Sequence, residues 1–494
     1  MRTQELAAVT SLLVCLFVCP VWSSLAEGDV SGDHLEHWNL YPLPGKITVD
    51  PSPVQALHLA LYGGSTIRLT WLNPVQFQAG NFTFKPSCRY GTSATSLVHY
   101  TPGFSYSYEA GMFRWTLNTA VLDLNLLPSL YSTVYYMCGD PGYGWSIVYH
   151  FTHQPPTVVN SQLSEVLADR LHTTHDTLQR QGQNHGVVLM NQGSEGVSVM
   201  ASQPKMIVLI ADMGVTHSED TMEGIQHYVA SNTAQVIFHA GDISYADNFS
   251  KKKHNNSYIW VEYMNELRYI SPWLPYMTCP GNHEAQFDFA AYLNWLPMPG
   301  RQNATSNFYY SFDYMGVHFL SFSTEHPFDQ QSDQFRFIEQ DLIAANKNRA
   351  KVPWVMVFGH RPLYCTSVIA HERCTKEAVL YRSYLEDLFY QQKVDVYLCG
   401  HNHNYERTYP VYRENATEKD FHNPQAPIYI VDGAAGNPEP NDPSYKHDVD
   451  WRAYVYASID NGFLLAEPTQ NALRFQYVRS KDRKVIDTFT ITRS

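Results

Sequence analysis

No dense run of lysine and arginine interrupts this chain, and acidic residues outnumber basic ones, 47 Asp plus Glu against 34 Lys plus Arg, for a net charge of −13. A nucleic-acid backbone or an anionic membrane surface finds no basic footprint here, so neither is an expected partner. Past the N-terminal leader no apolar stretch reaches the roughly 20 residues that span a bilayer, which excludes a stable helical anchor there. Internal repeats are absent, and with them the solenoid and propeller architectures that repeats build. Cysteine is scarce, eight residues in 494. What is present is ordinary globular composition, 44% apolar, with chain enough for two or three domains. Histidine is plentiful: protonating all 22 would add 22 charges to −13 and reverse the sign to +9, which makes the chain's response to mild acid a property to measure.

The first 26 residues carry Arg2, an apolar run from Leu6 to Trp22 interrupted at Pro20, and then Ser24-Leu25-Ala26. This is the pattern of a cleaved secretory signal, with the mature chain beginning near Glu27. Sequons at Asn81, Asn248, Asn255, Asn303 and Asn415 fit glycosylation and a secreted or lysosome- or vacuole-like destination. Cys15 and Cys19 leave with the signal, so six cysteines remain for an oxidising compartment. Cys88 and Cys138 lie in β-like sequence and Cys365 and Cys374 bracket a short loop, so two bridges are expected. Cys279 and Cys399 each end an apolar run before a glycine-containing motif, and either a third bridge or two buried thiols satisfies that position.

Residues 51–155 offer short β-rich runs, among them Ala56 to Leu61, Thr66 to Leu72, Phe113 to Leu122 and Thr133 to Met137, separated by Gly, Pro and Ser turns. That spacing predicts an antiparallel sandwich, and the absence of clustered His or carboxylates assigns it a structural or interaction role. Residues 156–204 read as a polar connector, with Leu163, Val166, Leu167 and Leu171 predicting one amphipathic helix from about Asn160. Residues 205–494 alternate strand and helix: strands at Met206 to Ala211 and Gln235 to His239, helices at Glu219 to Ala230 and Ser257 to Ile270. Further strands follow from Ile428, Ala453 to Ile459, Phe463 to Ala466 and Leu473 to Val478.

Five apolar strands in this last region each run into a glycine-containing loop bearing an acid, amide or imidazole. They lead into Asp212-Met213-Gly214, Gly241-Asp242-Ile243-Ser244-Tyr245, Gly281-Asn282-His283-Glu284, Gly359-His360 and Gly400-His401-Asn402-His403. Strand carboxyl ends of an open α/β sheet share one rim, so these groups should converge in one crevice. Any one fragment is weak, since a strand-end Asp is often a helix cap; the five together are not explained by loop capping. Asp, Asn, His and Tyr ligands suit hard or borderline cations, and the lack of Cys at these positions argues against a structural zinc site.

The blocks DMG, GDISYAD, GNHE, VFGHRP and GHNH, in this order, resemble the purple acid phosphatases among the calcineurin-like metallophosphoesterases. The N-terminal GYGWSIVYHFTHQPP and the C-terminal IYIVDGAAGNPE resemble the family's longer, two-domain form, while 157–203 departs from it as an insertion. The resemblance implies an N-terminal all-β, fibronectin-III-like sandwich followed by a C-terminal α/β (βαβ sandwich) metallophosphoesterase domain. It further implies a ferric ion held by Asp212, Tyr245 and His403, a divalent ion (Zn, Mn or Fe) held by Asn282, His360 and His401, and Asp242 bridging the two. Physical chemistry agrees, because only a strong Lewis acid repays deprotonation of a phenol with a free pKa of about 10.

Two such ions bind phosphate oxygens and lower the pKa of a shared water, so the expected reaction is hydrolysis of small phosphomonoesters in acid. His283, beside Asn282, is the expected proton donor to the leaving oxygen. His371, in the Cys365 to Cys374 loop, faces either substrate or solvent, and Arg361 either reaches phosphate or braces its turn. Glu284, Asp247 and Glu406 read as groups that orient ligands, and His217, His239 and His326 have no motif support. The same site serves a phosphodiesterase or nucleotide pyrophosphatase, and a glycosylated binding protein with a degenerate enzyme fold is the reading from another class. The oligomeric state is open, a homodimer included.

Overall fold

The computed structural model describes residues 54–63, 65–72, 84–110, 113–128, 133–153, 204–249, 257–299 and 307–494. The expected signal, the helix near Asn160 with nearly all of its connector, and the sequons Asn81, Asn255 and Asn303 lie outside the described residues; Asn248 and Asn415 are described and exposed.

The N-terminal strands are β1 (Gln55–Gly63), β2 (Thr66–Leu72), β3 (Ser87–Gly91), β4 (His99–Pro102), β5 (Phe104–Ala110), β6 (Phe113–Asp123), β7 (Thr133–Asp140), β8 (Gly144–Trp145) and β9 (Tyr149–Thr152). They form two sheets, β1-β2-β6-β5 and β4-β3-β7-β8 with β9 paired to β7. Ile67, Leu69 and Trp71 alternate along β2 into a core shared with Tyr90, Val134 and Tyr136 of the other sheet, the period-2 pattern of strands that face one another. Cys88 and Cys138 are direct partners across β3 and β7 and are joined by a disulfide.

The first sheet is buried on its outer face as well. His58 and Ala60 of β1 are 1% and 0% exposed. The imidazole of His58 bonds the carbonyl of Tyr276 at 2.9 Å, and the Ser271 hydroxyl donates to Leu57 O at 2.7 Å. Tyr136 OH donates to Pro272 O at 2.6 Å, and Trp295 Nε1 to Tyr108 OH at 2.6 Å.

The larger region contains β10 (Met206–Ile210), α1 (Glu219–Ala230), β11 (Ala234–Ala240), α2 (Tyr258–Glu266), β12 (Tyr276–Cys279), α3 (Ala290–Trp295), β13 (Tyr310–Tyr314), β14 (Val317–Ser321), α4 (Asp333–Lys347), β15 (Trp354–Phe358), α5 (Ala378–Gln391) and β16 (Val396–Cys399). There follow β17 (Tyr405–Thr408), the ribbon β18–β19 (Val411–Tyr412, Asn415–Ala416), β20 (Ile428–Asp432), β21 (Arg452–Tyr456), β22 (Gly462–Pro468), β23 (Ala472–Arg479) and β24 (Lys484–Thr492). The five motif strands do not share one sheet. Three lie in β12-β11-β10-β22-β23-β24 and two in β13-β14-β15-β16-β20-β17-β21. Within each group the strands run parallel.

The sheets pack face to face, with Phe238 of β11 stacked on Phe319 of β14 at 4.2 Å and edge-on to Phe358 of β15 at 4.9 Å. Such strands are covered on both sides, which is why β10, β11, β15 and β16 are buried at every position, with Gln235 and His239 of β11 the polar exceptions in otherwise apolar runs. On the outer faces, α4 begins at Ser332, whose hydroxyl accepts from Phe335 N, and buries Phe335, Ile338, Leu342 and Ala345 along one stripe. Helix α2 stops at Glu266 and tightens into a 3₁₀ turn, Leu267–Tyr269, two residues before Ser271-Pro272. Among the described residues no helix is long and apolar enough to cross a membrane.

An ion triad around a nearly buried His318, with Asp313 exposed, ties α4 to the β13–β14 hairpin. His318 Nδ1 lies 2.7 Å from Asp313 and Nε2 2.8 Å from Asp341. Burial alone would lower its pKa, but the two carboxylates push it up to about 9 from an ordinary 6.5. A folded-state pKa above the unfolded one stabilises fully below pH 6.5 and ceases to do so as pH rises through about 9. His318→Gln should therefore cost on the order of 2–3 kcal/mol near pH 6 and much less above pH 9, measured by denaturant melts across that range. Parallel stability curves for the two proteins would show that His318 is neutral in the fold.

Candidate metal centre

Each motif strand ends at the seam between the two sheets, and the chain must turn there sharply. Asp212, Asp242, Tyr245 and His401 all take left-handed backbone, with φ of 56°, 53°, 54° and 66°. That conformation is costly for residues with a Cβ and persists where surrounding structure imposes it. Glycines make the approach close enough: a Cβ on Gly400 would sit 2.0 Å from Asp212 Oδ2, and one on Gly281 2.2 Å from Asp242 Oδ1.

Two adjoining sets of donors result. In the first, the Tyr245 hydroxyl donates to Asp212 Oδ1 at 3.0 Å and lies 3.1 Å from His403 Nε2, which is 3.3 Å from the same Asp212 oxygen. In the second, His360 Nε2 lies 3.0 Å from Asp242 Oδ2 and 3.2 Å from His401 Nδ1. One donor atom each of Asp242, His360 and His401 falls within 4.8 Å of the others, all three residues being buried. The His401 backbone N–H donates to Asp212 Oδ2 at 2.8 Å, which joins the sets. Asn282 contributes a buried Oδ1 with no hydrogen-bond partner, an acceptor whose desolvation is uncompensated unless a cation meets it. Oxygen and imidazole donors in this density fit hard or borderline cations.

The electrostatics agree. Burial would raise the Asp242 carboxyl, but the imidazoles of His360, His283 and His401 hold it far below the carboxylate range. Burial, then the carboxylates of Asp212 and Asp242, push the Tyr245 phenol well above 10, so only a strongly acidic cation converts it to phenolate. Burial tends to lower His360, yet Asp242 carries it up to about 9.

His283 stands beside both sets. Its Nδ1 is 2.7 Å from Asp247 Oδ1, its Nε2 is 3.8 Å from Asp242 Oδ2 and from Glu439 Oε1, and its ring lies 4.2 Å from that of Tyr245. Burial opposes its protonation, but Asp242 and Asp247 push the pKa up to about 10; cations on Asp242 would cancel part of that charge and bring it down. Glu284 accepts the N–H groups of Gly281, Asp242 and Ile243 at 2.8 to 2.9 Å and so pins two motif loops together. Glu406 accepts from Thr366 N and Oγ1 at the root of the disulfide loop.

Arg361 has its guanidinium committed to Glu325, at 2.8 and 2.9 Å, and to Glu377 at 2.5 Å, with Nη1 3.1 Å from His401 Nε2. That is the bracing alternative. His371 is exposed and its carbonyl accepts from Thr375. His217, His239 and His326 bond Asn437 O, Tyr276 OH and Ser323 Oγ respectively, outside the two donor sets. The second disulfide joins Cys365 and Cys374, whereas Cys279 and Cys399 are buried free thiols. Sequence reasoning passed over Glu439, Glu325, Glu377 and Arg373, which carry no motif of their own.

Residues 205–405 match the family of calcineurin-like phosphoesterases, and 426–488 match the iron/zinc purple acid phosphatase-like C-terminal family. The zebrafish (Danio rerio) acid phosphatase type 7 is 34% identical over 58% of this chain and 67% of its own length, and the human protein of that name 36% over 41% and 48%. A probable inactive purple acid phosphatase of Arabidopsis thaliana is 27% identical over 85% and 71%. Among solved structures, the purple acid phosphatase of yellow lupin seeds superimposes with a TM-score of 0.70 at 22% identity, covering 90% of this chain and 75% of that one, a likeness of fold. The fold and the site thus define a calcineurin-like metallophosphoesterase. Within that class the chain belongs to the purple acid phosphatases, and it is a phosphatase enzyme.

Because Glu284 holds three N–H groups around Asp242 and Asn282, Glu284→Gln, which turns one acceptor into a donor, should weaken metal binding tenfold to a hundredfold. Titration with chelator-buffered zinc measures this, and unchanged affinity would make Glu284 a purely structural acid.

Proposed function

We propose that the chain is an acid phosphatase of the secretory pathway that hydrolyses phosphomonoesters at a dinuclear Fe(III)–M(II) centre, M being Zn, Mn or Fe. The observation that carries this reading is the pair of adjoining buried donor sets, Asp212/Tyr245/His403 and Asp242/His360/His401. Tyr245, Asp212 and His403 would hold the iron; His360, His401 and Asn282 the divalent ion; and Asp242 both. When bound, the two cations supply charge that neutralises phosphate oxygens and acidity that makes water a nucleophile below neutral pH.

The remaining roles belong to the chain. The site as folded carries carboxylates that would repel a phosphate dianion, so the ester is admitted only once those charges are met. His283, oriented by Asp247 through Nδ1, presents Nε2 at the edge of the centre and would carry a proton to the leaving alkoxide. The disulfides Cys88–Cys138 and Cys365–Cys374 fit an oxidising compartment, and the N-terminal module is read as fibronectin-III-like, acting as support for β12. Parallel assays with a monoester and a bis-ester separate this activity from phosphodiester or pyrophosphate cleavage. A protein that binds no iron would favour the non-catalytic binding role.

The ferric assignment predicts a visible charge-transfer band in the oxidised protein that Tyr245→Phe abolishes; colour surviving the change would place iron elsewhere. The proton-donor assignment predicts that His283→Ala keeps both metals yet loses about 10² to 10⁴ in rate on an alkyl phosphate. An aryl phosphate, whose leaving group departs as a stabilised phenolate, should suffer much less. Because the imidazolium is the competent form, wild-type rate should fall as pH rises through its pKa, and that limb should flatten in His283→Ala. Equal losses on both esters would make His283 a phosphate binder.

A further inference from the structure

The loop from Cys365 to Cys374 is fastened along its length. Its disulfide closes it, Glu406 grips Thr366, Ser367 bonds Asp442, and Val368 N donates to Ser444 O at 3.0 Å. At its far end, the side-chain amide of Asn402, which lies between His401 and His403, reaches Cys374 Sγ at 3.2 Å. Arg373 immediately precedes that sulfur and is thereby set over the His401 edge of the centre, where Nη1 donates to the His401 carbonyl.

The two arginines here are in opposite situations. Arg361 is neutralised by Glu325 and Glu377. Among the described residues no carboxylate pairs with Arg373, and its hydrogen bond to the His401 carbonyl occupies one of five N–H donors. Half-buried and held by a fastened loop, this guanidinium loses little rotamer freedom on meeting an anion, and its planar fork matches two phosphate oxygens.

We propose that Arg373 is a substrate-binding residue that grips phosphate oxygens at the His401 edge of the metal centre, and so supplies the side-chain cation for the ester's phosphoryl group. This rests on the phosphoester reading above. Arg373 binds; it transfers no proton and holds no metal.

The test uses the metal-loaded full chain, its Arg373→Ala and Arg373→Lys variants, and inorganic phosphate as probe. Calorimetric phosphate affinity and KM for an alkyl phosphate should weaken together in Arg373→Ala by roughly tenfold to a hundredfold, the worth of a charge-assisted pair, with kcat changed far less and both metals retained. Arg373→Lys should restore part of the phosphate affinity, since it returns the charge without the fork. Unchanged affinity in Arg373→Ala overturns the proposal, and so does loss of metal, which would make Arg373 a brace for His401. Failure of the wild type to bind phosphate overturns it too. Wild-type protein that binds phosphate through Arg373 but cleaves no ester would sink the phosphatase reading and leave this one standing.

Discussion

Six oxygen and nitrogen donors from four loops lie in two adjoining buried sets, with the unpartnered Asn282 Oδ1 on another loop, and their charges are only partly matched without a cation. A buried phenol, an unpartnered amide oxygen and carboxylates only partly matched by imidazoles in a low-dielectric seam are stabilised when protons or metal ions are shared among them. The close pairs around Tyr245 and His360 are the form this takes in the protein alone: Tyr245 donates to Asp212, and His360 lies against both Asp242 and His401. The centre is therefore a locus of stored cost, and the fold around it is what prevents relaxation.

That restraint is spread over backbone and packing. Four of the seven candidate ligands occupy left-handed backbone, and the chain holds them there because each follows a strand sealed between two layers. The strands cannot rotate, since Phe238, Phe319 and Phe358 interlock across the seam. Nor can the loops open freely, since Glu284 binds two of them at once and Gly400 lets the fifth lie directly on Asp212. The N-terminal sheet adds a further clamp: its edge strand bonds Ser271 and Tyr276, the residues that lead into and begin β12, whose far end delivers Asn282 and His283.

The parts legible in the sequence were those with short-range signatures. Apolar runs stopping at a glycine and a polar residue marked the motif strands, and the helix expected near Glu219 to Ala230 is α1. The division of the five strands between two sheets was not legible, because an apolar run says that both faces are covered and not by what. The β13–β14 hairpin escaped notice since its turn, Met315-Gly316, reaches positive φ at both positions without the Asn-Gly pair that usually announces it. β24 was hidden by the lysine and threonines on its exposed face and by Asp487, an acid on its buried face that Arg407 pairs. The commitment of Arg361 to Glu325 and Glu377 joins residues 16 and 36 positions apart, a pairing no local pattern encodes. Arg373 had one faint signal, its place beside a bracketing cysteine.

The proposed work in acid would also constrain groups far from the centre, and the signs differ among them. His58, buried between β1 and β12, is held down at about 4 by burial. The unfolded chain binds that proton first, so stability falls as pH drops from 6.5 toward 4. His318 keeps its full contribution throughout that window, because its pKa lies at about 9. Glu266 moves in the helpful direction as well. Burial, then Glu262 and Glu219, raise it to about 8, so its strain is greatest above pH 8 and is relieved as pH falls toward 4.5. A fold with only buried neutral histidines would weaken steadily on acidification. Here Glu266, a carboxyl that becomes neutral as pH falls, offsets part of that loss, and the His318 triad adds no loss of its own.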